Sequence, residues 1–491
     1  MKSTINILLS ISVACSLLFS PSCGDLDILE ERPVKEATRG FMTDATHIES
    51  VLLSCYYQVK RYECFSRNYH TNIEALADYA ESRGSYEYIG RYQGGDPTTI
   101  SRTNDVWACF YRSIRFANMI IAYAPDAQYA SPKQIKELVA EAHFMRGFCY
   151  LHLAQQWGGV PLLTEDELSN NEDTNLPRVP QNQIYEFAAN DLKIAVADLP
   201  DNQSVVGRPH KVTAKAVLTE LYMHLEDWEN AKETALDVIN SGKYRLVEIN
   251  KSDDYYNIFH PKLVTSTEEI FYLKYREGKE YGSSFASMLN RGKQYYNGNA
   301  YYGIHATFNN PFYSEWSDSD LRKAFNMYVI NDNGVDYIYN KKFIETDAVG
   351  DSGGSDIPLY RFADILLYYA EAACRANNGV PTEDAMEKLN MVHRRAYGKK
   401  SNIANPSVDY KLSDYDTEDK FIDLVLLERG YETCYEGKRY NDLKRTGKLA
   451  EYVLAKKGKV VGPGGYWFAI PSQEFLYNEG LDPNKDQNPG Y

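Results

Sequence analysis

Two helical patterns set back to back, with almost nothing between them, constrain this chain more than any other feature. From Thr213 to Ser241 apolar residues recur at three- and four-residue steps on both sides of Glu226-Asp227, a joint with room only for a tight turn. Helices joined this closely run antiparallel, and each pair is left with an apolar face that only a further pair can cover. The arrangement returns with a longer joint from Arg361 to Ala376 and from Thr382 to Arg395. In the first half of that pair Phe362, Ile365, Leu366, Tyr369 and Ala373 form one stripe, which stops at Asn377-Asn378-Gly379. Upstream, Phe41 to Lys60, Val106 to Tyr123 and Gln134 to Gln156 read as the helices that complete the stack. The last of these carries Ile135, Leu138, Val139, Ala142, Met145 and Cys149 on one side, starts after Ser131-Pro132 and ends near Trp157-Gly158-Gly159.

Leu218, Tyr222 and Ala231 fall at the spacing of a tetratricopeptide unit, so a solenoid of helical hairpins is expected. Between the helices lie three long irregular stretches, Tyr79 to Thr103, Tyr275 to Pro311 and Gly350 to Pro358. Connections of that length in a compact protein are functional or disordered, and the aromatic content of the first two argues for order.

Composition removes several classes of function. With 53 basic residues against 68 acidic and a formal net charge of −15, the chain has no basic face for a phosphate polymer, and nucleic acid is excluded as a partner. There are 41 Tyr against 19 Phe; each Tyr hydroxyl wants a partner or water, which places many of these rings at surfaces or in wet clefts. Beyond Cys15 and Cys23, the six cysteines 55, 64, 109, 149, 374 and 434 form no CxxC pair and no Cys/His cluster. Buried free thiols are the favoured reading, with disulfides open in an oxidising compartment. No metal site and no cofactor is expected. No HExxH helix, Walker A loop, GxSxG elbow or Rossmann fingerprint occurs, and His143 and His152 read as packed within their helix. An enzyme is therefore not expected; a glycoside hydrolase working through two carboxylates is the remote alternative, since 68 acidic residues always allow a pair to be named.

Lys2 followed by the apolar run Ile5 to Phe19 and by Ser20-Pro21-Ser22-Cys23 resembles a bacterial lipoprotein signal. Residues 1–22 would be removed and Cys23 would become an acylated, palmitate-bearing N-terminus; secretion with Cys23 unmodified is the other reading. The acidic tether 23–34, with Asp25, Asp27, Glu30 and Glu31, resembles the signal that exports lipoproteins of Bacteroidetes to the outer face of the outer membrane. Residues 35–491 are then one helical domain with an N-terminal part, 35–275, and a C-terminal part, 276–491.

A series of short motifs spans this domain. Trp107, Tyr111, Ile114 and Asn118 share one helix. Glu141-Ala142, Arg146 and Tyr150 lead to Gly158-Gly159-Val160-Pro161-Leu162. Gly207-Arg208 with the helix from Ala214, Ser241-Gly242-Lys243-Tyr244 and Arg361-Phe362-Ala363-Asp364 follow. Glu428-Arg429, Glu436-Gly437-Lys438-Arg439 and Asp442-Leu443 come next, and the chain ends on Ile470-Pro471 and Gln487-Asn488-Pro489-Gly490-Tyr491. In number and order these motifs resemble the SusD/RagB family, surface lipoproteins of Bacteroidetes that bind nutrients for a TonB-dependent transporter. The resemblance implies a mainly α fold of about four tetratricopeptide-like hairpins, decorated by long irregular loops with minor β structure. It implies a SusC-like TonB-dependent transporter as partner, and an outer-membrane, lipid-anchored, surface-exposed location. The motif residues themselves read as scaffold: Gly158, Gly159 and Pro161 make a turn, while Arg429, Glu436 and Arg439 pair or cap inside the fold.

Ligand residues must then come from the loops. A sugar calls for flat aromatic rings against its C–H faces and for carboxylate, amide or guanidinium groups at its hydroxyls. Asp78, Arg83, Tyr86 and Tyr88 supply both kinds in one stretch. Tyr295, Tyr296, Asn299, Tyr301 and Tyr302 do so in a glycine-containing loop, with Trp316 close behind. The ligand is expected to be a glycan or oligosaccharide; a peptide ligand, as in RagB-like members, is the alternative.

Overall fold

The computed structural model describes residues 40–169, 175–203, 205–278, 281–298, 300–301, 303–350 and 352–491, so the signal, Cys23 and the tether lie outside it. Helix α1 (Ala45–Lys60) starts where the Asp44 carboxylate accepts the His47 N–H, slightly later than its apolar pattern suggests. Helix α2 (Pro97–Tyr123) reaches back into the stretch read as loop, because Asp96 caps it by accepting from Thr98 and Thr99, both at 3.0 Å, and Pro97 occupies its first turn. Helix α3 (Pro132–Trp157) opens on a Ser131/Gln134 capping box and ends at Gly158, φ +73. A Cβ on Gly159 would meet the Val179 carbonyl, so the glycine lets Val160–Pro161 pair with Arg178–Val179.

The partner of α3 is α4 (Gln181–Asp198), which buries Ile184, Ala188, Leu192 and Ala195. The pair expected across Glu226-Asp227 is α5 (Lys211–His224) and α6 (Trp228–Asn240). Glu226 takes φ +56 at the turn and Asp227 caps α6. Helices α7 (Phe362–Ala376) and α8 (Glu383–Ala396) form the other expected pair, capped by Asp364 and Thr382. Each of the eight packs on the next in chain order, which makes four stacked hairpins. A tetratricopeptide-like helical scaffold with little sheet is thus what the chain forms.

Two further helices, α9 (Glu418–Glu432) and α10 (Arg439–Arg445), close the stack, with α9 lying on α7. Here the family-motif residues do scaffold work. Arg429 pairs with Asp442 at 2.8 Å, Glu436 with Arg361 at 2.8 Å, and Arg439 with Asp78 at 2.8 Å, all out of water. Arg361 and Arg395 also share Glu268 and Glu432, and Arg322 reaches Asp320 and Glu428. Such a cluster costs desolvation for every charge in it, and removing any one member leaves its partners unpaired. The six cysteines 55, 64, 109, 149, 374 and 434 are all free and buried.

The loops bring the sheet. Strand β1 (Glu81–Ser82) lies antiparallel to β3 (Ile304–Thr307), which continues to β5 (Val335–Asn340) and β4 (Met327–Asp332); β2 (Glu269–Leu273) pairs separately with β6 (Ile357–Arg361). The β4–β5 hairpin turns on Asn333-Gly334, both at positive φ, an unread hairpin signal in the sequence. No helix among the described residues is long and apolar enough to cross a membrane.

Candidate functional site

The β1–β3 ladder decides which loops meet. Glu81 pairs with His305 and Ser82 with Ile304, and the next N–H along, Arg83, donates to the Gly303 carbonyl at 3.0 Å. At Gly303 a Cβ would displace the terminal methyl of Met288 and touch the Tyr86 ring, so the glycine sits directly against both. Two residues before Gly303, the Tyr301 N–H donates to the Ser287 carbonyl at 2.7 Å and holds the backbone there.

Beside it comes the segment that follows α1. The Arg67 guanidinium lies between two rings, 4.7 Å from the centre of Tyr62 and 5.1 Å from that of Tyr301. Both rings face water, at 40% and 43% exposure. Next to this sandwich Arg102 of α2 lies over Tyr86 at 3.8 Å and donates to the Ser85 carbonyl at 2.8 Å. Burial, together with the nearby charge of Arg67, holds the Arg102 guanidinium below its ordinary value, against the pull of Tyr86 and Asp96. Three chain segments far apart in sequence thus present open Tyr faces and guanidinium donors together.

The expected ligand residues divide. Tyr301 belongs to this face, Tyr86 lies just beneath it as the floor under Arg102, and Arg83 is exposed at its edge. Tyr88 is exposed too, but its ring is covered by its own neighbour Arg91 at 4.5 Å. Tyr295 is half-buried on the sheet, 4.7 Å from Tyr328. Three expectations are corrected. Asp78 is fully buried as the partner of Arg439, whose charge it holds above the usual range although burial pulls the other way. Tyr296 is fully buried and bridges to Glu345. Trp316, 2% exposed, stacks flat on Tyr431 at 4.3 Å with Phe312 edge-on, so its surface is spent on the core. Asn299 and Tyr302 lie outside the described residues.

His143 and His152 belong to the scaffold rather than to this face. His152 is buried against Tyr69, at 2.8 Å, and His143 against Asp191, at 2.6 Å, as packed helix residues. Burial holds His70 and His152 neutral, each down to about 4. Both border a hollow of about 30 Å³ within the scaffold, the room of a water or two. Among the described residues no cluster of His, Cys, Asp and Glu could hold a metal ion.

Two family models cover most of the chain. Residues 27–223 match one described as "Starch-binding associating with outer membrane", and residues 283–461 match the SusD family. The chain belongs to the SusD family. A SusD-like protein P2 of Formosa agariphila is 24% identical over 97% of this chain and 98% of its own. Among solved structures, a SusD homolog from Bacteroides thetaiotaomicron superposes with a TM-score of 0.80 at 22% identity, covering 93% of this chain and 98% of that one. Surface glycan-binding protein A from Bacteroides thetaiotaomicron, in complex with laminarihexaose, gives 0.70 at 18% identity over 91% and 100%. These likenesses agree with the four-hairpin scaffold, and the matched descriptions are of binding proteins rather than enzymes.

Within this SusD fold three residues of the face escaped sequence reasoning: Tyr62, Arg67 and Arg102. Tyr62 and Arg67 lie just past the end of α1, and Arg102 lies in the part of α2 hidden by the loop reading. A signal existed for Arg102 alone, the Asp96-Pro97 helix start, which would have put it on a helix facing the Tyr-rich stretch. Nothing local marks Arg67, whose second ring is supplied from residue 301.

Proposed function

We propose that this SusD-family chain binds a glycan at the cell surface, without chemistry, and passes it to a SusC-like TonB-dependent transporter of the outer membrane. Acylated Cys23 would hold it to the outer leaflet, and the tether 23–34 would let the binding domain move while keeping its effective concentration at the transporter high. The observation that carries the reading is the Tyr62–Arg67–Tyr301 sandwich: two half-open aromatic faces with a guanidinium between them, on loops braced by a helical scaffold. Rings of this kind accept the polarised C–H face of a sugar, and the guanidinium's in-plane donors meet its oxygens. The laminarihexaose complex of a SusD-like neighbour supports a glycan as the ligand class.

Calorimetry of residues 24–491 against panels of oligosaccharides and peptides tests the binding step. Saturable binding of a glycan, lost in Tyr62→Ala and Tyr301→Ala, is expected. Binding of peptides alone would replace the glycan. For the anchor, Cys23→Ala is expected to release the protein from membranes with fold and ligand binding intact; retention of that variant through the transporter alone would make the anchor dispensable.

A further inference from the structure

Arginine buried in this protein is paired with carboxylate. Arg322, Arg361, Arg395, Arg429 and Arg439 each hold at least one Asp or Glu. Arg67 and Arg102, both partly buried, hold none among the described residues, and they stand within electrostatic reach of each other. Among the described residues the Arg67 guanidinium finds no hydrogen-bond partner, and its Nε is out of water. Among the described residues Arg102 donates only to the carbonyl and hydroxyl of Ser85. Of the carboxylates near in sequence, Asp96 is committed to the start of α2, Glu63 to Arg61 and Glu87 to Arg91, while Asp105 makes no ion pair with either arginine among the described residues. In a chain of net charge −15, with 68 acidic residues available, two neighbouring guanidiniums without an ion-pair partner among the described residues stand out.

The two cations are held by aromatic faces instead, Arg67 by Tyr62 and Tyr301 and Arg102 by Tyr86. A guanidinium stacked by its face keeps its in-plane N–H fork for a planar or tetrahedral oxyanion. Mutual repulsion and partial desolvation are costs that an anion arriving between them would offset, and the stacked rings hold the fork so that little ordering remains to be done on binding.

We infer that this face takes an anionic glycan, one bearing carboxylate or sulfate groups, with Arg67 and Arg102 as its anion-binding pair. The inference rests on the glycan-binding reading and narrows it.

The test uses residues 24–491 with three sets of probes: a polyuronate, a sulfated polysaccharide, and neutral β-glucan and starch fragments. The anionic probe is expected to bind at least about tenfold tighter than the neutral ones, as charge-assisted hydrogen bonds warrant. Its affinity should fall steeply from about 50 mM to about 500 mM salt. Arg67→Gln and Arg102→Gln should each weaken it about tenfold or more, a larger loss than either causes with any neutral glycan that binds. Preference between the polyuronate and sulfated arms assigns the anion. Arg67→Lys, which keeps the charge and loses the stacked fork, guards against misfolding; it should recover part of the lost affinity. Salt-insensitive binding of a neutral glycan, lost in Tyr301→Ala but not in Arg67→Gln, would overturn the anionic assignment and leave the glycan reading standing. Anionic binding indifferent to both arginines would overturn the site. Binding of acidic peptides alone would overturn both readings.

Discussion

Trp316 and Tyr301 look alike in the sequence, as aromatics in or beside one irregular region, and their substitutions should behave in opposite ways. The Trp316 ring is 2% exposed, lies parallel to Tyr431 at 4.3 Å and 9°, and meets Phe312 edge-on at 5.6 Å. A buried Trp truncated to Ala costs about 3–5 kcal/mol through lost burial and the cavity left behind. Its Nε1–H finds no acceptor in the core, so removing it also relieves an unsatisfied donor, and the lower end, about 3 kcal/mol, is the better figure. For 491 residues unfolding together at about 2.1 cal/mol/K per residue, the unfolding entropy is about 1 kcal/mol/K, so Tm should drop by about 3 °C. Tyr301→Ala removes a ring 43% exposed and one side of the Arg67 sandwich, about 1 kcal/mol at most and about 1 °C. As an aromatic anchor it should instead cost about 2 kcal/mol of binding, close to 30-fold in Kd. Differential scanning calorimetry and ligand titration on the same two variants give both numbers. Trp316→Ala with unchanged Tm and no binding, beside Tyr301→Ala with full binding, would refute the division made here between core and site.

Other consequences are independent of the ligand. Asp78→Ala leaves the Arg439 guanidinium buried and uncompensated and should cost about 3–5 kcal/mol, while joint replacement of Asp78 and Arg439 by apolar residues should recover most of it, measured by denaturant unfolding. Acid should undo the buried network. Burial works against the charges of Glu428 and Glu436, yet Arg322 and His393 at the first and Arg361 and Lys342 at the second outweigh it and hold each carboxyl down to about 2. Folded values below the unfolded ones mean stability present above about pH 4.5 and lost as pH falls toward 2, so Tm should decline across that window. Glu74 runs the other way: burial lifts it to about 7, so folding gains as pH falls from 7 to about 4.5, and Glu74→Gln should flatten Tm over that interval. A Tm that kept rising below pH 4 would contradict the first of these. The six buried thiols should be silent to Ellman's reagent in the native protein and titrate on unfolding; burial pushes Cys149 and Cys374 up to about 12.

What could be read in advance follows from how far apart in sequence the deciding contacts lie. A helix announces itself within one window, and so α3, α5, α6, α7 and α8 were legible from apolar steps, caps and glycine stops. Helix α4 carries the same signature in Ile184, Ala188, Leu192 and Ala195, and was overlooked rather than hidden. The proposed binding face has no such window. Tyr-rich loops could be told from the scaffold, but which ring turns outward depends on the β1–β3 ladder, which seats residue 83 against residue 303, and on Arg67 arriving from a third segment. Asp78, with an acid's side chain beside a Tyr, suits a sugar as well as it suits a buried arginine. Only the packing of α10 against it, bringing Arg439 from the far end of the chain, gives that carboxylate to the core. The same loop composition therefore yields a scaffold residue or a ligand residue according to what a distant helix supplies. On that ground Arg67 and Arg102 are telling: they are cations to which no distant segment among the described residues brings a carboxylate, and aromatic rings support them instead.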